Sequence, residues 1–387
     1  LYGLLEPEGK VVLNAKEVPG ILPATGAPML AYAASGKGGE FYNPILVLRK
    51  GHDLEATLRN GLHEPTIIHW HGVDGPWRQA GHPSYAVGPG ESYEYSFSVT
   101  NRAGTYWYHP HPHMLTARQS YLGLASFFIV KDEEEDAFAK ELDLRLGEND
   151  IPVVLQDKRF TPDGRLDYSP SMSDMLMGYL GEAVLANGAY QPTMSVATRL
   201  YRFRFLNGST SRIYNLGFRH GGTPLPFHLI GNDGGFLPSS QILSEVFLAP
   251  GERVDVLIDL RALAPGQEVL LQNLPFDPMH NEMGGMMGGM MGGGHGSSGH
   301  GKMDEGHGSS GHGKMGEGDS YPIVRLMIER KETYDRRVPE RLSSPLPPVA
   351  GSGSVRPVSL AMQHMGGWTI NGLTFSMKDA PIVVTKR

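Results

Sequence analysis

The sequence predicts an all-β protein built from β-sandwiches in tandem. Several segments alternate apolar and polar residues with a period of two, as strands with one buried face do; the clearest are residues 54–59, 91–100, 201–205 and 254–259. The turn sequences Val87-Gly88-Pro89-Gly90 and Ala249-Pro250-Gly251-Glu252 precede two of these strands. The 51 glycines and 29 prolines also favour short elements joined by turns. The best helical candidate is the acidic stretch 131–145.

Composition excludes several classes of protein. The 387 residues are 40% hydrophobic and 19% charged, which is enough apolar material for a core. The net charge of −7 comes without a basic stripe, so nucleic acid is not expected as a partner. No apolar run is long enough to span a membrane. The chain begins at Leu1, which is compatible with an exported, mature form, and we expect a periplasmic or extracellular monomer.

The domain organisation follows from a repeated pattern and two shifts in composition. Pro-Gly-Glu followed by an alternating strand occurs at 89–99 and at 250–258, which indicates one domain type used twice, unless such turns simply precede many strands. A charged stretch near 131–150 and a segment rich in Pro, Ser and Arg near 336–356 mark boundaries. We predict a first domain at 1–140, a second at 145–335 with an insert at 279–320, and a linker with the start of a third at 336–387.

Two His-X-His pairs form the strongest chemical pattern, His69-Trp70-His71 and His109-Pro110-His111. Side chains at positions i and i+2 of a strand share a face, so two adjacent strands present four imidazoles to one site. Imidazole suits Cu, Zn, Fe and Ni, so residue type alone does not select the metal. The metal-free alternative is disfavoured because burying four unpartnered imidazoles is costly. We favour that alternative for the single histidines His52, His63, His82, His220, His228 and His364.

These motifs resemble those of a known family. His69-Trp70-His71-Gly72 resembles the first copper motif of multicopper oxidases, and the string from Gly104 to His111 resembles the second. The likeness continues through residues 122–130, 185–188, 201–207, 232–237, 248–256 and 369–372. The resemblance implies tandem cupredoxin-like Greek-key β-sandwiches, three in all, with the third only begun in this sequence.

The resemblance also implies roles for individual residues in a trinuclear copper cluster. His69 would bind the type 2 copper, and His71, His109 and His111 would bind the type 3 pair. His113 has no counterpart in the motif and would line the pocket. In this family electrons enter at a type 1 copper and pass to the cluster, where O2 is reduced to water by four electrons. Asp74 is a candidate for proton delivery, although we favour its alternative role as a turn residue before Gly75-Pro76.

The sequence departs from the family in two respects. A type 1 copper needs two histidines and a cysteine thiolate, and the chain has no cysteine. The histidine motifs of the family's third domain are absent as well. We therefore expect the type 1 copper and the remaining cluster ligands to come from further residues of a longer chain. The alternative is a copper-poor relative that uses the fold for binding alone, which the two retained histidine pairs argue against.

The insert at 279–320 is low in complexity and rich in possible ligands. It holds eight of the 18 methionines between Met279 and Met315, and five interleaved histidines. Thioethers favour Cu(I), and imidazoles accept either oxidation state of copper. Our hypothesis is that the insert captures Cu(I); the alternative is a surface loop of biased composition.

We therefore predict a laccase-like multicopper oxidase that couples one-electron oxidation of Cu(I), or of small phenolic and other organic reductants, to reduction of O2 to water. The main alternative is a non-catalytic copper-binding or scaffold protein on the cupredoxin fold. A copper nitrite reductase is less consistent with the sequence, because that enzyme has two such domains and no second His-X-His pair of this form.

Overall fold

Strands dominate every part of the protein that the structure describes. The computed structural model describes residues 1–278, 315–346, 357–363, 367–374 and 376. The strands, in chain order, are β1 Leu4–Leu5, β2 Val11–Val18, β3 Met29–Gly36, β4 Gly39–Tyr42, β5 Ile45–Arg49, β6 Asp53–Asn60, β7 Ile68–His71, β8 Ser92–Ser98, β9 Gly104–Pro110, β10 Ser126–Lys131, β11 Asp150–Phe160, β12 Leu166–Asp167, β13 Ala183–Ala186, β14 Ala189–Tyr190, β15 Thr193–Ala197, β16 Leu200–Asn207, β17 Tyr214–His220, β18 Thr223–Leu225, β19 Phe227–Asn232, β20 Gly235–Leu243, β21 Val246–Leu248, β22 Arg253–Asp259, β23 Glu268–Asn273, β24 Tyr321–Arg330, β25 Leu360–Gln363 and β26 Gly367–Ile370.

Helices are short and lie between strands. They are α1 Thr116–Tyr121, α2 Glu133–Glu141 and α3 Met172–Met177, with a 3-10 turn at Pro83–Tyr85. The helix predicted in 131–145 is confirmed as α2: Asp132 caps it by accepting the Glu135 N–H, and Phe138 is buried. The described residues contain no helix long and apolar enough to cross a membrane.

The first β-sandwich pairs two five-stranded sheets. One has the order β1-β5-β10-β9-β7 and the other β4-β3-β2-β6-β8. Period-two alternation places one side of each strand in the core, so that Leu54, Ala56 and Leu58 of β6 are buried while Glu55 is exposed. Trp70 and Tyr108 add large rings to the same core.

The second sandwich repeats the arrangement. Its sheets have the orders β14-β13-β11-β16-β22-β19-β20, with β12 beside β11, and β15-β24-β23-β17-β18, with β21 beside β17. In both sandwiches a parallel pair is followed by an antiparallel one, as β2-β6-β8 in the first and β11-β16-β22 in the second. A small hairpin of β25 and β26 follows in the C-terminal part of the described residues.

The two predicted Pro-Gly-Glu turns share their hydrogen bonding in detail. Asn60 exchanges main-chain bonds with Gly90 and Glu91, and Asn207 does the same with Gly251 and Glu252. Each asparagine side chain also accepts from the N–H two residues on, at 2.9 Å from Leu62 and 2.9 Å from Ser209. This repetition supports one domain type used twice. The fold class of tandem sandwiches is thus confirmed, while the domain limits stay predictions.

A buried cluster of charged side chains joins the sandwiches. Arg202 and Arg204 of β16 lie among three carboxylates, and all five side chains are at most 3% exposed. Glu135 accepts from both arginines at 2.6 Å, Asp150 accepts two bonds from Arg204 at 2.7 Å, and Asp255 accepts from Arg202 at 2.6 Å. Thr105 of β9 donates to Asp255 at 2.7 Å, which ties the first sandwich to this cluster.

The charge on Glu135 makes stability depend on pH. Burial alone raises the pKa of the Glu135 carboxyl, but Arg202 and Arg204 outweigh it and lower the pKa from 4.5 to about 2. The stabilisation that ionised Glu135 gives the folded state is therefore complete above pH 4.5, and it is lost as the pH falls through about 2.

We expect Glu135→Gln to lower the free energy of unfolding at pH 7 by about 3–5 kcal/mol, because it leaves buried guanidinium charge without its partner. Urea titrations measure this free energy for the variant and for the unsubstituted protein, and the difference between them should become smaller as the pH falls below 4.5. Asp136→Asn is the matched control, because that neighbouring carboxylate is 47% exposed. Equal effects of the two substitutions, or a gap independent of pH, contradict this reading of the cluster.

Candidate metal centre

Pairing of β7 with β9 brings the two predicted histidine pairs together. The strands are antiparallel, with His69 opposite His109 and Trp70 opposite Tyr108. The main-chain N–H of His111 donates to Ile67 O at 2.9 Å and extends the pairing by one residue. Because side chains alternate, burial of Trp70 and Tyr108 in the core turns the imidazoles onto the opposite face.

The imidazole nitrogens lie at distances that suit a shared ion. His71 Nδ1 lies 3.2 Å from His109 Nε2. Two nitrogens bound tetrahedrally to one ion at about 2.0–2.1 Å would lie roughly 3.3 Å apart. One nitrogen from each of His69, His71 and His109 falls within 4.8 Å of the others. The His111 ring lies 5.2 Å from that of His69, centroid to centroid. The structure thus brings all four predicted histidines to one face.

Carbonyl oxygens orient two of the four rings. Ala80 O lies 2.5 Å from His69 Nδ1, and Pro110 O lies 2.9 Å from His109 Nδ1. A ring that donates its Nδ1–H to a carbonyl keeps its Nε2 lone pair for a metal. His111 Nδ1 is buried and has no hydrogen-bond partner among the described residues. A buried nitrogen of this kind is consistent with a ligand that these protein atoms do not supply.

Burial keeps the imidazoles neutral. Removal from water lowers the pKa of His71 to about 4, with a further contribution from Arg253. Burial likewise lowers the pKa of His69 and His111, and it holds that of His109 well below its usual value. Neutral imidazole is the form that binds a metal, so no imidazole of the site has to lose a proton before it binds a metal at neutral pH.

A loop of the first sandwich, residues 72–87, supports His69. Gly81 in this loop has φ +80°, and a Cβ there would lie 2.0 Å from Ile68 O. Only glycine therefore allows the loop to approach β7 closely enough for the Ala80 carbonyl to reach His69. Sequence reasoning missed Ala80 and Gly81; the available signal was a glycine before His82-Pro83, which indicates a turn but not its contact.

The second sandwich supports the other side of the site. Trp107 of β9, in the first sandwich, packs against His109 with 4.2 Å between ring centroids and a 33° angle between the ring planes, and it lies 5.1 Å from His71. A turn of the second sandwich then contacts this group of rings. The turn at Gly251 approaches both rings, since a Cβ there would lie 3.6 Å from His71 Cε1 and from Trp107 Cζ2. Arg253 fixes this turn by donating to Gly251 O and to Thr105 O, each at 3.0 Å. The sequence indicated the turn but not its role beside the histidines.

The remaining candidates lie elsewhere. Asp74 is exposed in the turn after β7, where its main chain bonds to Asn101 and Thr100, and its role in proton delivery stays a prediction. His113 is exposed beyond the end of β9. His220 and His228 bond to Glu268 O and to the Ser240 hydroxyl. His52, His63 and His82 are exposed, and His364 lies outside the described residues.

Known proteins are similar to this chain in sequence and in fold. A family model described as multicopper oxidase matches residues 30–135. The solved structure of the McoA multicopper oxidase from Aquifex aeolicus superposes with a TM-score of 0.82 at 34% identity, over 96% of this chain and 73% of that one. The chain belongs to the multicopper oxidase family. Its fold class, tandem cupredoxin-like sandwiches, is confirmed by the same likeness.

Two further relatives show that the family alone does not decide the activity. The multicopper oxidase mco of Staphylococcus haemolyticus is 34% identical over 62% of this chain and 51% of its own length. The cell division protein FtsP of Xenorhabdus nematophila is 34% identical over 58% of this chain and 46% of its own length. The chain thus spans about half the length of these relatives, one named as an oxidase and one as a division protein.

We expect Gly81→Ala to weaken copper binding by roughly 10- to 100-fold, as loss of a partner that orients a ligand does. The added methyl group displaces the loop and with it the Ala80 carbonyl that holds His69. Titration with Cu(II), followed by absorption and bound-metal analysis, measures the change.

Gly90→Ala is the matched control, because Gly90 also has φ +80° but a Cβ there would meet nothing within 4 Å. It carries the same backbone strain without the clash. Equal affinity in the two variants shows that the loop contact does not position His69.

Proposed function

We propose that this protein is a copper-dependent oxidase and that His69, His71, His109 and His111 supply half of the ligands of a trinuclear copper cluster. The observation that carries the proposal is the 3.2 Å approach of His71 Nδ1 to His109 Nε2 within a group of neutral imidazoles. A four-imidazole donor set suits copper. In this proposal His69 binds the type 2 copper and the other three bind the type 3 pair.

The chain's own residues bind, orient and shield. Copper ions bound here would supply one-electron redox steps and the reduction of O2 to water. Ala80 O and Pro110 O accept the Nδ1 protons of His69 and His109, which would leave the Nε2 atoms of both rings free to hold copper. Trp107 packs against His71 and His109 and shields part of each ring from water, which favours the neutral, metal-binding form. Asp74 remains the candidate for proton delivery, since it lies three residues after His71 in the chain.

The proposed reductants are Cu(I) and small organic molecules such as phenols. The methionine- and histidine-rich insert supports Cu(I), because thioethers favour that ion. Residues 279–314 of the insert lie outside the described residues. We propose a periplasmic or extracellular location for copper chemistry of this type. The type 1 thiolate is not among these residues, so tests of turnover use protein expressed from the complete gene.

The rival function is a scaffold like the relative named as a cell division protein. Retention of four neutral imidazoles, two of them oriented by carbonyl oxygens, favours the oxidase, since a scaffold needs none of this geometry. O2 consumption with Cu(I) or a phenol as electron donor separates the two functions.

We expect His109→Ala to lower O2 consumption by more than about 100-fold. Substitution of a residue that only orients a metal ligand already costs about 10- to 100-fold in metal affinity or activity. Copper per chain, measured by elemental analysis, should fall in parallel. His63→Ala is the control, as that histidine is exposed and outside the site. Full copper content and normal O2 consumption in His109→Ala contradict the proposed ligand set.

Deletion of residues 279–314 tests the part of the insert in Cu(I) oxidation. The flanking segments meet, since Phe276 N–H donates to Gly318 O at 3.1 Å, and a short Gly-Ser linker can join them. The deletion spares Gly316 and Glu317, which accept hydrogen bonds from Arg212 and Ile213.

We expect Cu(I) oxidation to fall by at least about tenfold, the effect of losing a tether that concentrates the ion near the protein. Oxidation of a small organic dye by the same preparation should change little. Equal losses for both substrates, or no loss of either, contradict a role in Cu(I) capture.

A further inference from the structure

Five aromatic side chains form a continuous line from the back of β7 to the protein surface. Neighbouring ring centroids are 5.4 Å apart for Trp70 and Tyr95, 4.9 Å for Tyr95 and Tyr93, 6.0 Å for Tyr93 and Tyr85, and 5.8 Å for Tyr85 and Trp77. Each step lies within the range of direct aromatic contact. Every member is Trp or Tyr, whose rings lose one electron far more readily than Phe or the peptide backbone does.

The inner end of this aromatic line is joined to the imidazole site through β7. Trp70 stands between His69 and His71 in the chain, with its buried ring on the opposite face of the strand. The Tyr95 hydroxyl donates to Ile68 O at 3.0 Å and accepts from Ile68 N–H at 2.9 Å. Covalent and hydrogen bonds therefore connect both inner rings to the strand that carries two of the histidines.

Proton transfer gives the aromatic line a direction. An oxidised indole or phenol is a strong acid and becomes a stable radical only after it loses its proton. Trp70 Nε1 is buried with no partner among the described residues, and the Tyr95 hydroxyl faces only an amide carbonyl, a weak base. Trp77 at the outer end is 63% exposed, so water can accept its proton.

Arg78 favours loss of the proton from an oxidised Trp77 at the surface. Its guanidinium lies 5.0 Å from the Trp77 ring centroid. A cation over the ring disfavours a tryptophan radical cation and leaves the neutral, deprotonated radical unaffected. The other oxidisable neighbour of Trp70 is Tyr108, 5.4 Å away, and it leads inward to the buried Tyr32.

We propose that this aromatic line carries oxidising equivalents from the imidazole site to Trp77. It thereby protects the histidines from oxidation when O2 is reduced only partly, to peroxide. The inference rests on the proposed function, because it needs copper at the site. With hydrogen peroxide as the oxidant and a single Cu(I) at the site, that ion would supply one electron and become Cu(II), and the aromatic line supplies the other. Two protons from solvent complete the conversion of peroxide to two waters.

Trp77 supplies the second electron and releases its Nε1 proton to water, which leaves a neutral indolyl radical. A solution reductant such as ascorbate then returns one electron and one proton and restores the tryptophan. A second electron from the reductant would return Cu(II) to Cu(I), so each cycle consumes one peroxide and two reducing equivalents without permanent change to the protein.

The test uses the full-length, copper-loaded protein, reduced anaerobically by one electron per chain and freed of excess reductant, then mixed with one equivalent of hydrogen peroxide. Freeze-quenched samples give the radical signal by EPR, and peptide mass spectrometry locates oxygenated residues. Tyr93→Phe interrupts the line while keeping a ring in place, and Tyr85→Phe interrupts it one step further out. Tyr190→Phe is the control, a tyrosine that is 52% exposed and outside the line.

We expect an indolyl radical and oxygenated Trp77 in the unsubstituted protein and in Tyr190→Phe. Both should fall several-fold in Tyr93→Phe and Tyr85→Phe, with oxidation rising at Trp107 and at the four histidines and with copper content unchanged. Met114, which is 86% exposed, reports freely diffusing oxidant.

Unchanged Trp77 oxidation in both interrupted variants, or Met114 oxidation equal to that of Trp77, overturns the inference alone. Failure of the unsubstituted protein to retain copper overturns the proposed function and this inference with it.

Discussion

The antiparallel pairing of β7 with β9 is the constraint on which the site depends. A shift of one residue in this pairing would turn every side chain of one strand to the other face. Trp70 and Tyr108 prevent such a shift, because their rings are almost fully buried in the core of the first sandwich. Apolar packing on one face therefore fixes the position of the imidazoles on the other. The positions of four polar side chains are set by residues that never touch a metal.

The second sandwich extends this constraint beyond one sheet. Arg253 and the turn at Gly251 contact β9 and the rings of His71 and Trp107. The buried cluster of Arg202, Arg204 and their carboxylates binds Thr105, four residues before His109. Buried ion clusters contribute little net stability but penalise any arrangement that leaves a charge unpaired. The cluster therefore favours one relative placement of the two sandwiches, and with it one shape of the histidine face.

Local patterns in the sequence were sufficient for the strands and for the histidine pairs. Alternation in residues 91–100 and 201–205 predicted strands that the structure contains, and the spacing of His69 and His71 placed both rings on one face. Contacts between distant segments were not predictable in this way. Ala80 O reaches His69, and Gly251 reaches His71, only because whole elements pack together. A short-period pattern specifies which face a residue occupies but not which loop covers it.

The central claim is that the face formed by His69, His71, His109 and His111 binds copper. The most direct measurement is X-ray diffraction from crystals of the copper-loaded protein, with data collected on both sides of the copper absorption edge. We expect anomalous peaks within bonding distance of His71 Nδ1, of the Nε2 atoms of His69 and His109, and of a ring nitrogen of His111. Anomalous density confined to other parts of the molecule, with these four imidazoles free of metal, would contradict the account.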